Sequence, residues 1–292
     1  MEPNLHVAIT TDEKYIQHAG AMLASLFAHA AGAPLVIHCI THAAGTPDFK
    51  KLAGQVARAG HQLRVLVPDD APLRGLKLSD HATTAVYYRL LLPELIDPAV
   101  PRVLYLDSDL IVKEDVRQLW NTEVGGYALA AVRDPLFSDY EKLGIPAGRP
   151  YFNSGVMLLN LDHWRQHGHA REVLAYIRSN PDKITAWDQD GLNAVLHSQW
   201  LELHPRWNVQ TILFEHAGRD LPVPADVIAE CLANPAVIHY TAKFKPWHRW
   251  CEHPRKGEYY RYLAATPWRD FRPGESAASP LQTIWKRLLR SV

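Results

Sequence analysis

Cysteine is scarce in this chain of 292 residues: there are three, Cys39, Cys231 and Cys251. They are far apart, odd in number and form no C-x-x-C pair, which argues against a disulfide framework or a zinc site and favours a reducing compartment. No apolar run approaches the ~18 residues that a membrane-crossing helix needs. The opening MEPNLHVAITT also lacks a basic start followed by an apolar stretch, so the expectation is a cytoplasmic protein, neither secreted nor membrane-spanning. Charge of one sign is missing too. Thirty-one basic residues balance 31 acidic ones, so no global field draws in nucleic acid, and none is expected as a partner. No Gly-rich turn follows the first strand pattern, which removes the dinucleotide and P-loop signatures, and no internal repeat is visible.

What is present is an ordinary globular composition, 47% hydrophobic and 21% charged, long enough to bury a sizeable core in one α/β domain. Residues 5–11, 35–41 and 62–68 read as strands, and 15–30 and 46–60 as helices, the second closed by Gly60. This βαβαβ opening predicts a parallel sheet whose ligand crevice lies beyond the carboxyl ends of the strands. Further strand patterns fall at 125–134, 151–164 and 236–241, and helical ones at 170–180 and 186–199. Around 266–278 the composition turns to Pro, Gly, Ser and charge, which predicts a linker after a domain of residues 1–265. In 279–292, Leu281, Ile284, Trp285, Leu288, Leu289 and Val292 share one helical face beside Lys286, Arg287 and Arg290. This predicts a small C-terminal helical appendage able to lie on an anionic membrane surface, or to pack back on the domain.

The stretch PRVLYLDSDLIV (101–112) places Asp107 and Asp109 directly after an apolar run. Two like charges so close are costly to desolvate unless a cation bridges them or water reaches them. A bare D-x-D is weak, since Asp188-Gln189-Asp190 is another, but its place at a strand exit favours a metal or ligand role. Taken singly, His239 in VIHYT reads as a core histidine and Asn153 in YFNSG as a turn residue.

In combination, ITTDEKY, YYRLLLPEL, VLYLDSDLIV, YFNSGVMLLNL, WDQDGLN and HYTAKFKPWH resemble glycosyltransferase family 8 in order and spacing over residues 5–250, above all its bacterial lipopolysaccharide galactosyl- and glucosyltransferases. The resemblance implies a GT-A fold, a nucleotide-sugar-binding α/β domain, and retaining transfer of galactose or glucose from a UDP-hexose to a saccharide acceptor. Asp107, Asp109 and His239 then match metal ligands, for Mn²⁺ or alternatively Mg²⁺, a set compatible with octahedral coordination. Lys245 matches a diphosphate contact; Thr10, Thr11, Asp12, Tyr15 and Ser108 fall in the nucleotide-binding segments. Arg89, Asn153, Asp188 and Gln189 match the donor-sugar and catalytic positions, with front-face attack favoured and Asp188 the nearest candidate for a covalent role. Ser154, Ala242 and Lys243 depart from the family pattern. A self-glucosylating, glycogenin-like enzyme and a non-catalytic UDP-sugar-binding protein are the alternatives. The implied setting is cell-surface glycan synthesis, in the cytoplasm or peripherally on the inner face of the inner membrane.

Overall fold

The structure is a computed structural model that describes residues 5–30, 32, 34–78, 83–138, 140–215 and 220–273. The predicted helix at 279–292 and residues 274–278 before it lie outside the described residues.

The βαβαβ opening forms as its periodicity requires. Strands β1 (Leu5–Thr10), β2 (Leu35–Ile40) and β3 (Gln62–Leu66) are parallel, in the order β3-β2-β1. Alternation along the strands sorts side chains to two cores: Val7, Ile9, Leu104 and Leu106 to one face, Ala8, Val103 and Tyr105 to the other. The helix Ile16–Ala28 covers the first face with Ile16, Met22, Leu23 and Leu26. The helix Pro47–Arg58 starts where the Thr46 hydroxyl accepts the Phe49 N–H, with Pro47 at its first position and Asp48 in its first turn. It ends before Gly60, whose φ of 77° suits a residue without Cβ.

Beyond this opening the sheet departs from the all-parallel expectation. Its seven strands run in the order β3-β2-β1-β4-β7-β6-β8, with β4 (Arg102–Leu106), β6 (Leu129–Arg133), β7 (Phe152–Asn160) and β8 (Trp200–Glu202). Strand β7 is antiparallel to both β4 and β6. The connection from β6 to β7 carries only the short helix Tyr140–Leu143 among its described residues, not the packed crossover that a parallel return uses.

The stretch 101–112 is not one strand. After Leu106 the chain leaves the main sheet, and β5 (Leu110–Val112) joins a smaller one with β9 (Val209–Gln210) and β10 (Val237–His239), in the order β5-β10-β9. Antiparallel pairing sets His239 opposite Leu110. Asp107, Ser108 and Asp109 therefore span the junction of the two sheets. Strand β7 contributes a second irregularity: its register against β6 slips between Ala131, paired with Met157, and Val132, paired with Asn153. Such a bulge re-aims side chains and frees backbone groups from the ladder, and it leaves Ser154 and Gly155 beside the D-x-D.

The helix Lys256–Leu263 packs on Ile16–Ala28, where the Tyr259 hydroxyl meets His18 Nδ1 at 2.7 Å. Thr266 and Trp268 are buried, and the Trp268 ring closes on Gly20, where a Cβ would lie 2.5 Å from it. The described part of the expected linker, 266–273, is thus held on the domain, because burying an indole outweighs the local Pro/Gly/Ser signal. The three cysteines are free and buried. No helix among the described residues is long and apolar enough to cross a membrane.

Candidate active site

The sheet switch brings one ligating atom each from Asp107, Asp109 and His239 within 4.8 Å of one another. Asp109 is held from two sides: Lys245 Nζ donates to Oδ2 at 2.7 Å, and His239 Nε2 lies 3.2 Å from Oδ1. Burial pushes the Asp109 carboxyl up, but Lys245, and then His239 when its ring carries a proton on both nitrogens, outweigh it and hold the group well below the usual carboxylate range.

The orientation of His239 follows from a chain of hydrogen bonds anchored on the backbone. The Gly155 N–H donates to Asn153 Oδ1 at 3.0 Å, which identifies that atom as oxygen. Asn208 Nδ2 donates to the same oxygen at 2.9 Å, so Asn208 Oδ1 faces His239 Nδ1, also at 2.9 Å, and accepts its proton. In the neutral ring Nε2 is then left as a lone pair aimed at two carboxylates, Asp109 at 3.2 Å and Asp107 at 3.9 Å. Three electron-pair donors facing one another call for a cation among them. Oxygen and imidazole donors suit Mn²⁺ or Mg²⁺. Gly155 makes the room: a Cβ there would stand 2.2 Å from His239 Cε1 and 2.8 Å from Asp107 Oδ2.

Arg89, 7% exposed, is the hub of the other wall. Its guanidinium pairs with Asp107 and with Asp188, each at 3.0 Å, donates to the Ser154 carbonyl at 2.7 Å, and lies over the Tyr105 ring. Tyr105 donates its hydroxyl proton to Asp107 at 2.8 Å. Burial raises Asp188 to about 6, against the opposing pull of Arg89. Gln189, half-buried, points differently: Oε1 accepts the bulge-freed Ser154 N–H at 2.9 Å and Nε2 donates to Asp134 at 3.3 Å. Ser154 is 4% exposed and its hydroxyl lies 3.2 Å from Arg89, so it faces inward.

The turn that presents Asp188 and Gln189 is strained and stapled. Trp187, at φ 47°, is the only non-glycine residue with positive φ among the described residues. Asp190, fully buried, fixes it by accepting the N–H groups of Thr185 and Ala186 and the Tyr151 hydroxyl. The second acid of WDQDG is thus spent on structure.

Thr10 and Ser108 meet at the end of β1, where the Ser108 hydroxyl donates to the Thr10 carbonyl at 3.1 Å and Thr10 Oγ1 lies 2.9 Å from the Tyr105 hydroxyl. Thr11 is buried, its N–H donating to the Ile40 carbonyl. Asp12 accepts the N–H groups of Lys14 and Tyr15 and the Thr83 hydroxyl, so it shapes the loop entering the first helix. Tyr15 stands edge-on to Trp247 at 5.7 Å and is partly open.

Over residues 6–251 the chain matches the family model of glycosyl transferase family 8. It belongs to that family. Among curated relatives of this family 8 chain, General stress protein A of Bacillus subtilis (strain 168) is 33% identical over 276 residues, 90% of this chain and 94% of that one. Lipopolysaccharide 1,2-glucosyltransferase of Escherichia coli (strain K12) is 29% identical over 284 residues, 93% of this chain and 81% of the relative. The fold is that of the galactosyltransferase LgtC, solved in complex with donor and acceptor sugar analogues: TM-score 0.80 over 90% of this chain and 96% of that chain, at 24% identity.

Two residues of this family 8 site carry no signal in the sequence patterns. Asp134 follows β6 and collects Gln189 and Asn153, and burial raises its pKa. Asn208 lies in WNVQT and sets the His239 ring. Asn208→Ala is expected to free that ring and weaken Mn²⁺ binding ~10–100-fold, the usual effect of losing a partner that orients a metal ligand. Calorimetric titration of the variant and of Asn208→Asp, which keeps an acceptor, measures it.

Proposed function

We propose that this family 8 glycosyltransferase is a metal-dependent retaining hexosyltransferase that moves galactose or glucose from a UDP-sugar to a saccharide acceptor of a bacterial cell-surface glycan. The convergence of Asp107, Asp109 and a tautomer-fixed His239 next to Lys245 carries the reading. The names of the lipopolysaccharide glucosyltransferase relative and of the galactosyltransferase LgtC support the donor and acceptor classes.

Bound by Asp107, Asp109 and His239, Mn²⁺ or Mg²⁺ would act as a Lewis acid for the diphosphate leaving group. Lys245 adds a compact positive charge at the same place. Thr10, Thr11, Asp12, Tyr15 and Ser108 form the nucleotide end, with Tyr15 offering a partly open aromatic edge. Arg89 locks Asp107 to Asp188, so the metal side and the sugar side keep one geometry. Asp188, 3% exposed and paired with Arg89, is poorly placed as a nucleophile, and the Gln189 amide is weakly basic. Both facts favour front-face attack. The bond from the anomeric carbon to the diphosphate oxygen breaks, the acceptor oxygen bonds to that carbon on the same face, and its proton passes to a departing phosphate oxygen. Asn153, Gln189 and Asp134 supply the polar wall that orients the hexose.

A donor screen with Mn²⁺, scored by UDP release, tests this. Slow release from UDP-galactose or UDP-glucose without acceptor, accelerated by a saccharide acceptor, is the expected result. Binding of both donors with no release under either condition would replace the enzyme with a UDP-sugar-binding protein.

A further inference from the structure

A second group of converging ligands lies away from the nucleotide site, in the segment HWRQHGH (163–169). His163 and His167 sit four residues apart on one face of the helix Leu161–His167. Gly168, at φ 71°, turns the chain into the helix His169–Ser179, and this corner brings His169 back against them. One ring nitrogen from each of the three lies within 4.8 Å of the others. We propose that His163, His167 and His169 form a structural binding site for Zn²⁺ or a like imidazole-favouring divalent cation, independent of the D-x-D centre.

The hydrogen-bond pattern goes beyond chance proximity of histidines. His167 Nδ1 is taken by the His163 carbonyl of its own helix at 2.9 Å, which leaves Nε2 as the lone pair. His169 is 2% exposed; its Nδ1 meets the Glu172 carboxylate at 3.1 Å, and its Nε2 faces His163 Nδ1 at 3.1 Å. Two of the three rings thus have their second nitrogen held by a carbonyl or a carboxylate, the arrangement that orients metal-bound imidazoles. The proton shared between His163 and His169 can move to His163 Nε2 when a cation enters, so the three rings remain neutral ligands.

The corner is tied to the domain. Trp164 is buried with its indole N–H on the Ala128 carbonyl, and Arg165 donates to the carbonyls of Pro93, Ile96 and Val100. The guanidinium is therefore occupied, and Glu172 is the acid in direct contact with the rings. Three imidazoles suit Zn²⁺, which they bind once the His163 and His167 rings, stacked at 4.1 Å between centroids, turn their edges toward a shared ion; the hard ions Mn²⁺ and Mg²⁺ prefer oxygen. A cation here would pin the start of a helix that packs tightly on Trp187–Leu196, where a Cβ at Gly191 would lie 2.4 Å from Ile177.

Zn²⁺ titration of the metal-stripped full chain by calorimetry, with Co²⁺ absorption as the geometry probe, tests the site. The Zn²⁺ equivalent should persist in His239→Ala and weaken more than ~100-fold in His163→Ala/His167→Ala, while Glu172→Gln should weaken it ~10–100-fold. UDP release with Mn²⁺ should survive in the double variant, which separates this site from the nucleotide centre. Zn²⁺ binding unchanged in the double variant, or no saturable binding by the wild type, overturns the proposal. If the double variant does not fold, His167→Gln at its exposed position decides the question instead: about tenfold weakening or more supports the site, and no change removes it.

Discussion

Asp109→Asn is expected to lower turnover about 10³-fold or more, at the upper end of what one removed electrostatic group costs in an active site, while the protein stays folded. The geometry gives the reason. Lys245 donates to Oδ2, so the new amide turns its oxygen that way and its NH₂ toward His239 Nε2, 3.2 Å from Oδ1. An amide N–H in that place hydrogen-bonds the lone pair that His239 would offer a cation. One substitution therefore removes a ligand, blocks a second, and leaves the shape unchanged. Circular dichroism and thermal unfolding should show a native-like protein, and titration should show weak Mn²⁺ binding. Wild-type turnover should disappear in excess EDTA and return with Mn²⁺. Near-normal turnover by Asp109→Asn, or full wild-type activity in chelator, would falsify the metal assignment.

Gly155→Ala should be comparably severe, by crowding instead of charge. The added methyl would stand 2.2 Å from His239 Cε1, far inside the ~3.5–4.0 Å of a carbon–carbon contact. Gly155 is not among the residues with positive φ, so the effect is one of space and not of backbone freedom. Relief requires the imidazole to swing off Asn208 and carry Nε2 away from both aspartates. Mn²⁺ affinity and turnover should fall together, with a stability loss of ~1–3 kcal/mol, the usual range for overpacking. Gly191→Ala is the control: its Cβ would meet Ile177 Cγ1 at 2.4 Å, so it too should destabilise, yet Mn²⁺ affinity should hold. Gly155→Ala with unaltered Mn²⁺ binding would show that His239 has another place to go.

The opening of the fold was readable because its strands and helices are periodic, and the second helix carries Thr46, Pro47 and Gly60 where helix ends need them. The D-x-D and His239 were readable through motif order. The break of residues 101–112 into two strands was not: Leu106 and Leu110 are equally apolar and buried, and only pairing partners distant in sequence assign them to different sheets. The antiparallel β7 was hidden for the same reason. Gly155 did carry a signal, since glycine inside a strand marks a bulge or a close approach. Asn208 and Asp134 carried none. Each acts through a partner distant in sequence, His239 in one case and Gln189 in the other. Ser154 illustrates the converse, a hydroxyl beside the motif asparagine that turns inward to Arg89.

The groups of the site form a circuit, side chains throughout except at Ser154, which is joined by its backbone carbonyl and N–H: Asp107 to Arg89, Ser154, Gln189, Asp134, Asn153, Asn208 and His239, which faces Asp107 again across 3.9 Å. A linear relay can lose its last member and keep the rest, whereas a loop has no last member. Substitutions on opposite sides of it, such as at Arg89 and Asn208, share no contact and yet share every intermediate, so their effects do not sum as independent sites do.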